Sequence, residues 1–248
     1  ALVSASELAL AAGDQRLSRS LGGRASNHLA VTEAAPTPAL IAGGGTVQPI
    51  EAIREVRAAT QPLGVAMHLD GARLWNAHVA TGVPLTAYGE QFDTVSVCLS
   101  KGLGAPVGSV LVGSAEHMAQ ARIWRKRYGA GMRQVGILAA AGIHALDHHL
   151  DRLDDDHARA ARFAAACAEA APASVDAATV ETNIVVLDVG ALGWRAPAFV
   201  AALIEQGVRT YAVGPGRVRL VWHLDVDDAG TDAAIDAATT LLRTQIDQ

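Results

Sequence analysis

Three apolar runs, at residues 65–69, 94–99 and 107–112, limit the fold of this 248-residue chain more than any other feature of it. The hydrophobic residues in them come in succession rather than in alternation, and Gly, Pro or charged residues fence each run. Such runs suit strands covered on both faces, which requires helices above and below a sheet. The spacing predicts a helix over 51–59, stopped by Pro62 and Gly64, and another over 115–125. Helical periodicity dominates again over 135–170, where Leu146, Leu150 and Leu153 keep one face apolar. Asp154, Asp155 and Asp156 read as a solvated stretch there and as the joint between two domains. A different pattern follows: strand 184–189, helix 196–206, strands near 208–213 and 218–223, and a helix from Asp228. The expected architecture is an α/β large domain over 1–150 and a smaller α+β domain over 151–248.

Composition excludes several function classes. With 50% hydrophobic and 18% charged residues, the chain has the material for a sizeable core. Its 20 Lys and Arg against 25 Asp and Glu form no basic block for phosphates, so nucleic acid is not an expected partner. The most apolar uncharged stretch, 34–50, carries Pro36, Pro38, Pro49 and Gly43-Gly44-Gly45, which argues against a membrane span. Cys98 and Cys167 belong to no CxxC motif, as suits a cytoplasmic protein. His144 and His148 stand one helical turn apart near Asp147, His149 and Asp151, but without HExxH or a cysteine pair they read as a solvated face, and no metal is expected. Gly43-Gly44-Gly45-Thr46 and Gly214-Pro215-Gly216 read as turns, and no GxSxG elbow occurs.

Two of the apolar runs lead into residues with chemistry. Ser100-Lys101-Gly102-Leu103-Gly104 follows the run 94–99, and in open α/β sheets ligands collect outside the carboxyl ends of strands. A lysine there, flanked by glycine, has the setting for Schiff-base chemistry; a lysine reaching from a strand end to water is the plainer alternative. In His68-Leu69-Asp70-Gly71-Ala72-Arg73, Asp70 ends the first run and is expected at the same sheet edge as Lys101. A carboxylate at that edge suits the protonated pyridine nitrogen of pyridoxal phosphate, or simply caps a turn with Gly71. Arg73 suits a bidentate pair with a substrate carboxylate, or an ion pair with Asp70 or Glu90. His68 is expected on the strand face opposite Asp70, as a core histidine or one behind the site rather than a base.

Four segments, in order and spacing, resemble the low-specificity L-threonine aldolases: HLDGARLWNA at 68–77, SKGLGAPVGSVLVG at 100–113, WRKRYGAGMRQVGILAAAG at 124–142 and VRLVWHLDV at 218–226. The resemblance runs from about Gly44 to the C-terminus. It implies the fold of the pyridoxal-phosphate enzymes of aspartate-aminotransferase type (fold type I), with pyridoxal 5'-phosphate as cofactor. Carried over residue by residue, it makes Lys101 the Schiff-base lysine and Asp70 the partner of the pyridine nitrogen. Arg73 and Arg219 become the pair for the substrate carboxylate, and Ser100 a neighbouring polar support. Lys126 and Arg133 match basic positions near the entrance and the cofactor phosphate. The implied reaction is aldol cleavage of L-threonine or L-allo-threonine to glycine and an aldehyde. A β-eliminating lyase of the same fold and an inactive scaffold are its rivals. A homo-oligomer, dimer or tetramer, is implied as well. Residues 1–40 match poorly, no Gly-Thr-x-Ala-Asn segment is found, and His28 lacks the surroundings of the family's ring-stacking histidine. The N-terminal part of the family fold is therefore expected to be missing from this chain.

Overall fold

The run 94–99 becomes the centre of the first sheet. In the computed structural model, which describes residues 45–244, β2 (Thr94–Cys98) buries Val95, Ser96, Val97 and Cys98. It pairs with β1 (His68–Gly71) in parallel and with β3 (Ser109–Gly113) antiparallel. A parallel pair needs a crossover, supplied by α2 (Leu74–Thr81) and α3 (Leu85–Gly89). Helix α1 (Ile50–Thr60) precedes β1, and Ile50, Leu74, Ala77, Tyr88, Val95 and Val97 pack into one buried cluster.

β1 begins three residues later than the apolar run 65–69 predicts. Asp93 is the reason: its Oδ2 accepts from the Met67 backbone N–H at 2.8 Å and from Arg57 at 2.9 Å, so Met67 is held by a side chain before the ladder starts. Burial pushes the Asp93 carboxyl up, but the Met67 N–H and Arg57 together outweigh it and hold it below its ordinary 3.8. His68 stands at the first ladder position, its ring bonded to Thr94 Oγ1 at 2.8 Å. The expectation that it faces away from Asp70 is corrected here. Side chains alternate with a period of two, so residues 68 and 70 share a face.

A second correction concerns β3. Expected to be covered on both faces, it leaves Val110 and Val112 43% and 52% exposed, and among the described residues it stands at the edge of the sheet. Helix α4 (Ala115–Arg127) follows it, with Ser114 Oγ accepting from the His117 N–H. The helical stretch 135–170 is two helices, α5 (Gly136–His148) and α6 (Leu153–Ala170). Asp154, Asp155 and Asp156 form the first turn of α6, where carboxylates suit the positive end of the helix dipole. They are not uniformly solvated: Asp156 is fully buried and bonded by Arg152, with Arg159 at 4.0 Å.

The second sheet has the order β4-β6-β5, from β4 (Ile184–Asp188), β6 (Arg217–Val221) and β5 (Tyr211–Ala212), all antiparallel. The expected strand 208–213 thus shortens to two residues. Helices α6, α7 (Ala196–Glu205) and α8 (Asp228–Arg243) contribute Phe163, Phe199, Leu203 and Ala238 to a core with Val185, Leu187, Val218 and Trp222. The Trp222 ring lies 5.0 Å from that of Phe163, and its indole N–H donates to Thr231 Oγ1. On the outer side Arg159 and Arg162 pair with Asp228, and Arg162 with Asp232, stapling α6 to α8.

Among the described residues, three hydrogen bonds tie the elements around the first sheet to those around the second. The Asn76 side chain on α2 meets the His157 ring on α6 at 3.1 Å, both buried. Thr182 Oγ1 donates to the Gly45 carbonyl at 2.6 Å, and the Val47 N–H donates to Glu181. Gly45 has φ +87° and lies so close to β4 that a Cβ would stand 2.8 Å from both Ile184 Cβ and Thr182 Oγ1. No helix among the described residues is long and apolar enough to cross a membrane. His28, residues 1–40 and most of the stretch 34–50 lie outside the described residues.

Truncating the fully buried Phe163 to Ala is expected to cost about 3–5 kcal/mol of unfolding free energy, measured by denaturant titration. His157 sets a pH dependence. Burial lowers its imidazole below the ordinary 6.5, against the pull of Asp154 and Asp156. On acidification the unfolded imidazole protonates first, so unfolding free energy should fall as pH drops below about 6.5, and His157→Gln should flatten that slope. Titrations on either side of that pH check it.

Candidate functional site

The site is built where two parallel strands end. In the β1–β2 register Asp70 faces Ser96 and Gly71 faces Val97, so the chain leaves both strands at the same edge of the sheet. Past β1 it turns at once: the Ala72 N–H donates to Asp70 Oδ1 at 3.2 Å, which fixes the carboxylate at the strand end while its residue stays exposed. Gly71 is required there, since a Cβ would stand 2.8 Å from the Ser96 carbonyl oxygen.

Past β2 the chain makes a tight loop. The Leu99 N–H donates to Gly108 O at 2.9 Å, Ala105 N–H to Leu99 O at 3.0 Å, and Gly104 N–H to Lys101 O at 2.8 Å. Ser100 and Lys101 are exposed at its crest, whereas Gly102 and Leu103 are buried beneath. Among the described residues no hydrogen bond or ion pair holds the Lys101 ammonium, so the backbone of this loop sets where it can reach.

Arg73 and Arg219 come from different sheets and share one electrostatic neighbourhood. Burial lowers the pKa of the Arg73 guanidinium, while Cys98 and Asp70 oppose the shift. Arg219 is lowered by burial first and then by the positive charge of Arg73. Its guanidinium stacks 4.5 Å from the centre of the Tyr211 ring, and its buried Nε has no partner among the described residues. Neither Asp70 nor Glu90 forms an ion pair with Arg73 among the described residues. Two neighbouring cations with no bridging carboxylate make a place for an anion.

Of the residues singled out from the sequence, Asp70 and Lys101 therefore follow strands that end at one sheet edge, Arg73 lies three residues past Asp70, and Arg219 of the second sheet feels the charge of Arg73. Ser100 stands beside Lys101. Lys126 and Arg133 are exposed near the α4–α5 connection; Lys126 folds back over Gly131, whose Cβ would meet its Cδ at 2.7 Å. No described contact joins either of them to Asp70 or Lys101. Three residues were not anticipated: Asn76, His157 and His149. A Cβ on Gly102 would lie 3.3 Å from Asn76 Oδ1 and 2.8 Å from Leu153 Cδ2, and His149 Nδ1 donates to the Leu103 carbonyl at 2.7 Å. The asparagine was visible within HLDGARLWNA, but no spacing in the sequence links His149 or His157 to the loop. The rings of His144 and His148 lie 4.4 Å apart, and no group of three or more His, Cys, Asp or Glu suited to a metal occurs among the described residues.

Residues 23–190 match the family model described as beta-eliminating lyase. The chain belongs to the beta-eliminating lyase family. Within it, the chain is 43% identical over 184 residues to the low specificity L-threonine aldolase of Escherichia coli strain K12, covering 73% of this chain and 53% of that one. It is 42% identical over 188 residues to the low-specificity L-threonine aldolase of Candida albicans, covering 76% and 49%. This family member thus spans about half the length of the curated relatives it matches. Its fold is shared with a Listeria monocytogenes crystal structure assigned provisionally as an L-allo-threonine aldolase, at a TM-score of 0.64 and 17% identity over 79% of this chain and 58% of that one. The α/β class with an α+β second part, read from the sequence as a fold type I architecture, is supported by that likeness.

Replacing Gly102 by Ala tests how tightly the loop is seated in this lyase-family chain. Leu153 and Asn76 are both buried and cannot yield cheaply, so the substitution should cost about 1–3 kcal/mol in stability, read from the denaturant midpoint.

Proposed function

We propose that this chain is the lysine-bearing part of a pyridoxal-phosphate-dependent aldehyde-lyase that cleaves L-threonine or L-allo-threonine to glycine and an aldehyde. The observation that carries this reading is that the parallel strands β1 and β2 bring Asp70 and Lys101 to one sheet edge, with Arg73 just past the end of β1 and within electrostatic reach of Arg219 from the second sheet. Relatives named low-specificity L-threonine aldolase support the choice of substrate class. The division into a cofactor-binding part up to residue 150 and a smaller part over 151–248 follows the two sheets and belongs to the same proposal.

The residues present fit such a cofactor. Asp70 is a strand-end carboxylate held by one backbone N–H, with capacity left to accept from a pyridinium N–H. Lys101 rises from a glycine-flanked loop with its amine unencumbered among the described residues, and Ser100 offers a hydroxyl beside it. Lys126 and Arg133 are the cations we assign to the entrance and the phosphate. When bound, pyridoxal phosphate supplies an electron sink for the pair released as the Cα–Cβ bond breaks.

The chain's own groups divide the remaining work. Arg73 and Arg219 hold the substrate carboxylate, and their mutual repulsion is relieved by the anion between them. Tyr211 keeps the Arg219 fork flat against its ring. Asp70 keeps the pyridine nitrogen protonated by offering it a negative partner. Lys101 would hold the cofactor through its amine. Cytoplasmic location and a homo-oligomeric state, dimer or tetramer, complete the proposal. The second rests on exposed apolar side chains along β3, α4 and α5, among them Val112, Ile123, Ile137 and Ile143, which subunit contact would cover.

The deciding experiment is a visible spectrum after incubation with pyridoxal phosphate, with a borohydride-reduced sample mapped by mass spectrometry. A yellow band with the adduct on Lys101, both lost in Lys101→Ala, is expected; a colourless protein overturns the reading for this chain. If the band forms, product analysis separates glycine plus aldehyde from the ammonia and oxo acid of β-elimination. Arg219→Leu should raise KM about 10- to 100-fold with a smaller effect on kcat, since it removes a charged hydrogen-bonding group from ground-state binding.

A further inference from the structure

We propose that His149 and the Asn76–His157 pair are positioning residues that clamp the Lys101 loop from beneath and so set where the lysine amine stands. The inference rests on the reading of Lys101 as the cofactor-bearing lysine, and goes beyond it by assigning roles to three residues outside the reacting set.

The outside contacts converge on two residues of the loop, Gly102 and Leu103. His149 Nδ1 donates to the Leu103 carbonyl at 2.7 Å; a carbonyl only accepts, so this fixes the proton on Nδ1. His149 lies just past the end of α5, hence the bond anchors the loop to a helix terminus. The Asn76 amide lies beside Gly102, where a Cβ would stand 3.3 Å from its oxygen. That amide is held in turn by the His157 ring at 3.1 Å, in a site where Asn76 is 2% exposed and His157 8%. Leu153, wholly buried, closes the floor under Gly102. The loop's own hydrogen bonds, Leu99 to Gly108 O, Gly104 to Lys101 O and Ala105 to Leu99 O, close it on itself, and the outside contacts join it to the helices.

A buried asparagine and histidine satisfy each other at a cost in desolvation that an apolar pair would avoid. Their placement against the one glycine next to Lys101 gives the pair a task that packing alone does not require. A lysine on a long flexible stem, unheld at its tip, reaches a reproducible point only if its Cα is fixed. The clamp does that without touching the amine.

The test compares wild type with His149→Ala, His149→Gln and Asn76→Leu. The first readout is amide hydrogen exchange over residues 99–105 in protein without added cofactor. His149→Ala should speed it about five- to tenfold, the effect of one lost hydrogen bond, and His149→Gln, whose amide can still donate to Leu103 O, should restore most of the protection. The second is the rate at which pyridoxal phosphate is trapped on Lys101 by borohydride, expected to fall several-fold in His149→Ala and Asn76→Leu and to recover in His149→Gln. Unchanged exchange and trapping in both His149→Ala and Asn76→Leu overturn the clamp, as does failure of His149→Gln to rescue. Should the variants not fold, fast exchange of the loop amides in wild type would overturn it alone, and slow exchange would support it. Wild type that traps nothing on Lys101 refutes the cofactor reading instead, and the exchange data then still decide whether the loop is clamped.

Discussion

The parallel pairing of β1 with β2 is the constraint on which the rest depends. Antiparallel neighbours would send Asp70 and Lys101 to opposite ends of the sheet; a parallel pair sends both to one edge, and only a crossover through α2 and α3 can join them. That crossover then carries Arg73 and Asn76 on the stretch just after the strand, one at the site and one beneath it. A single topological choice thus delivers a carboxylate, a lysine, an arginine and a supporting amide to one place.

Much of this was legible in the sequence because the determinants are local. Successive apolar residues in 94–99 announce a buried strand, and the glycines after Asp70 and Lys101 mark the turns that expose the side chains before them. The limits of the reading are equally physical. An apolar run does not tell a covered strand from one with an open face, which is why β3 is less buried than expected. The start of β1 was misread because Met67 is held by Asp93, a contact across the sheet. The acidic triplet looked uniformly wet, yet the i,i+4 reach of Arg152 draws Asp156 into the interior. His68 shows a different error: the period of a strand puts it on the same face as Asp70, and its partner Thr94 defines its role.

The site also depends on the second sheet. Arg219 enters from β6, whose register with Val186 and Tyr211 places it between a strand and an aromatic ring. No pattern in the sequence brings 73 and 219 together; only folding does. The charge of Arg73 reaches Arg219, so an anion bound by the pair, as proposed, would depend on both sheets rather than on either.

The ties between the sheets differ in kind from the staples within the second part. Two of the ties, Asn76 with His157 and Thr182 with Gly45, are buried hydrogen bonds without a carboxylate, and the third, from the Val47 N–H to Glu181, is exposed. The links of α6 to α8 are ion pairs whose acidic partners, Asp228 and Asp232, stand in solvent. Ionic strength screens exposed charges and barely reaches buried dipoles. Salt therefore acts on one rim of the molecule and leaves its central seam alone: in brine the α6–α8 edge would loosen while the two sheets, and the arginines they bring together, keep their alignment.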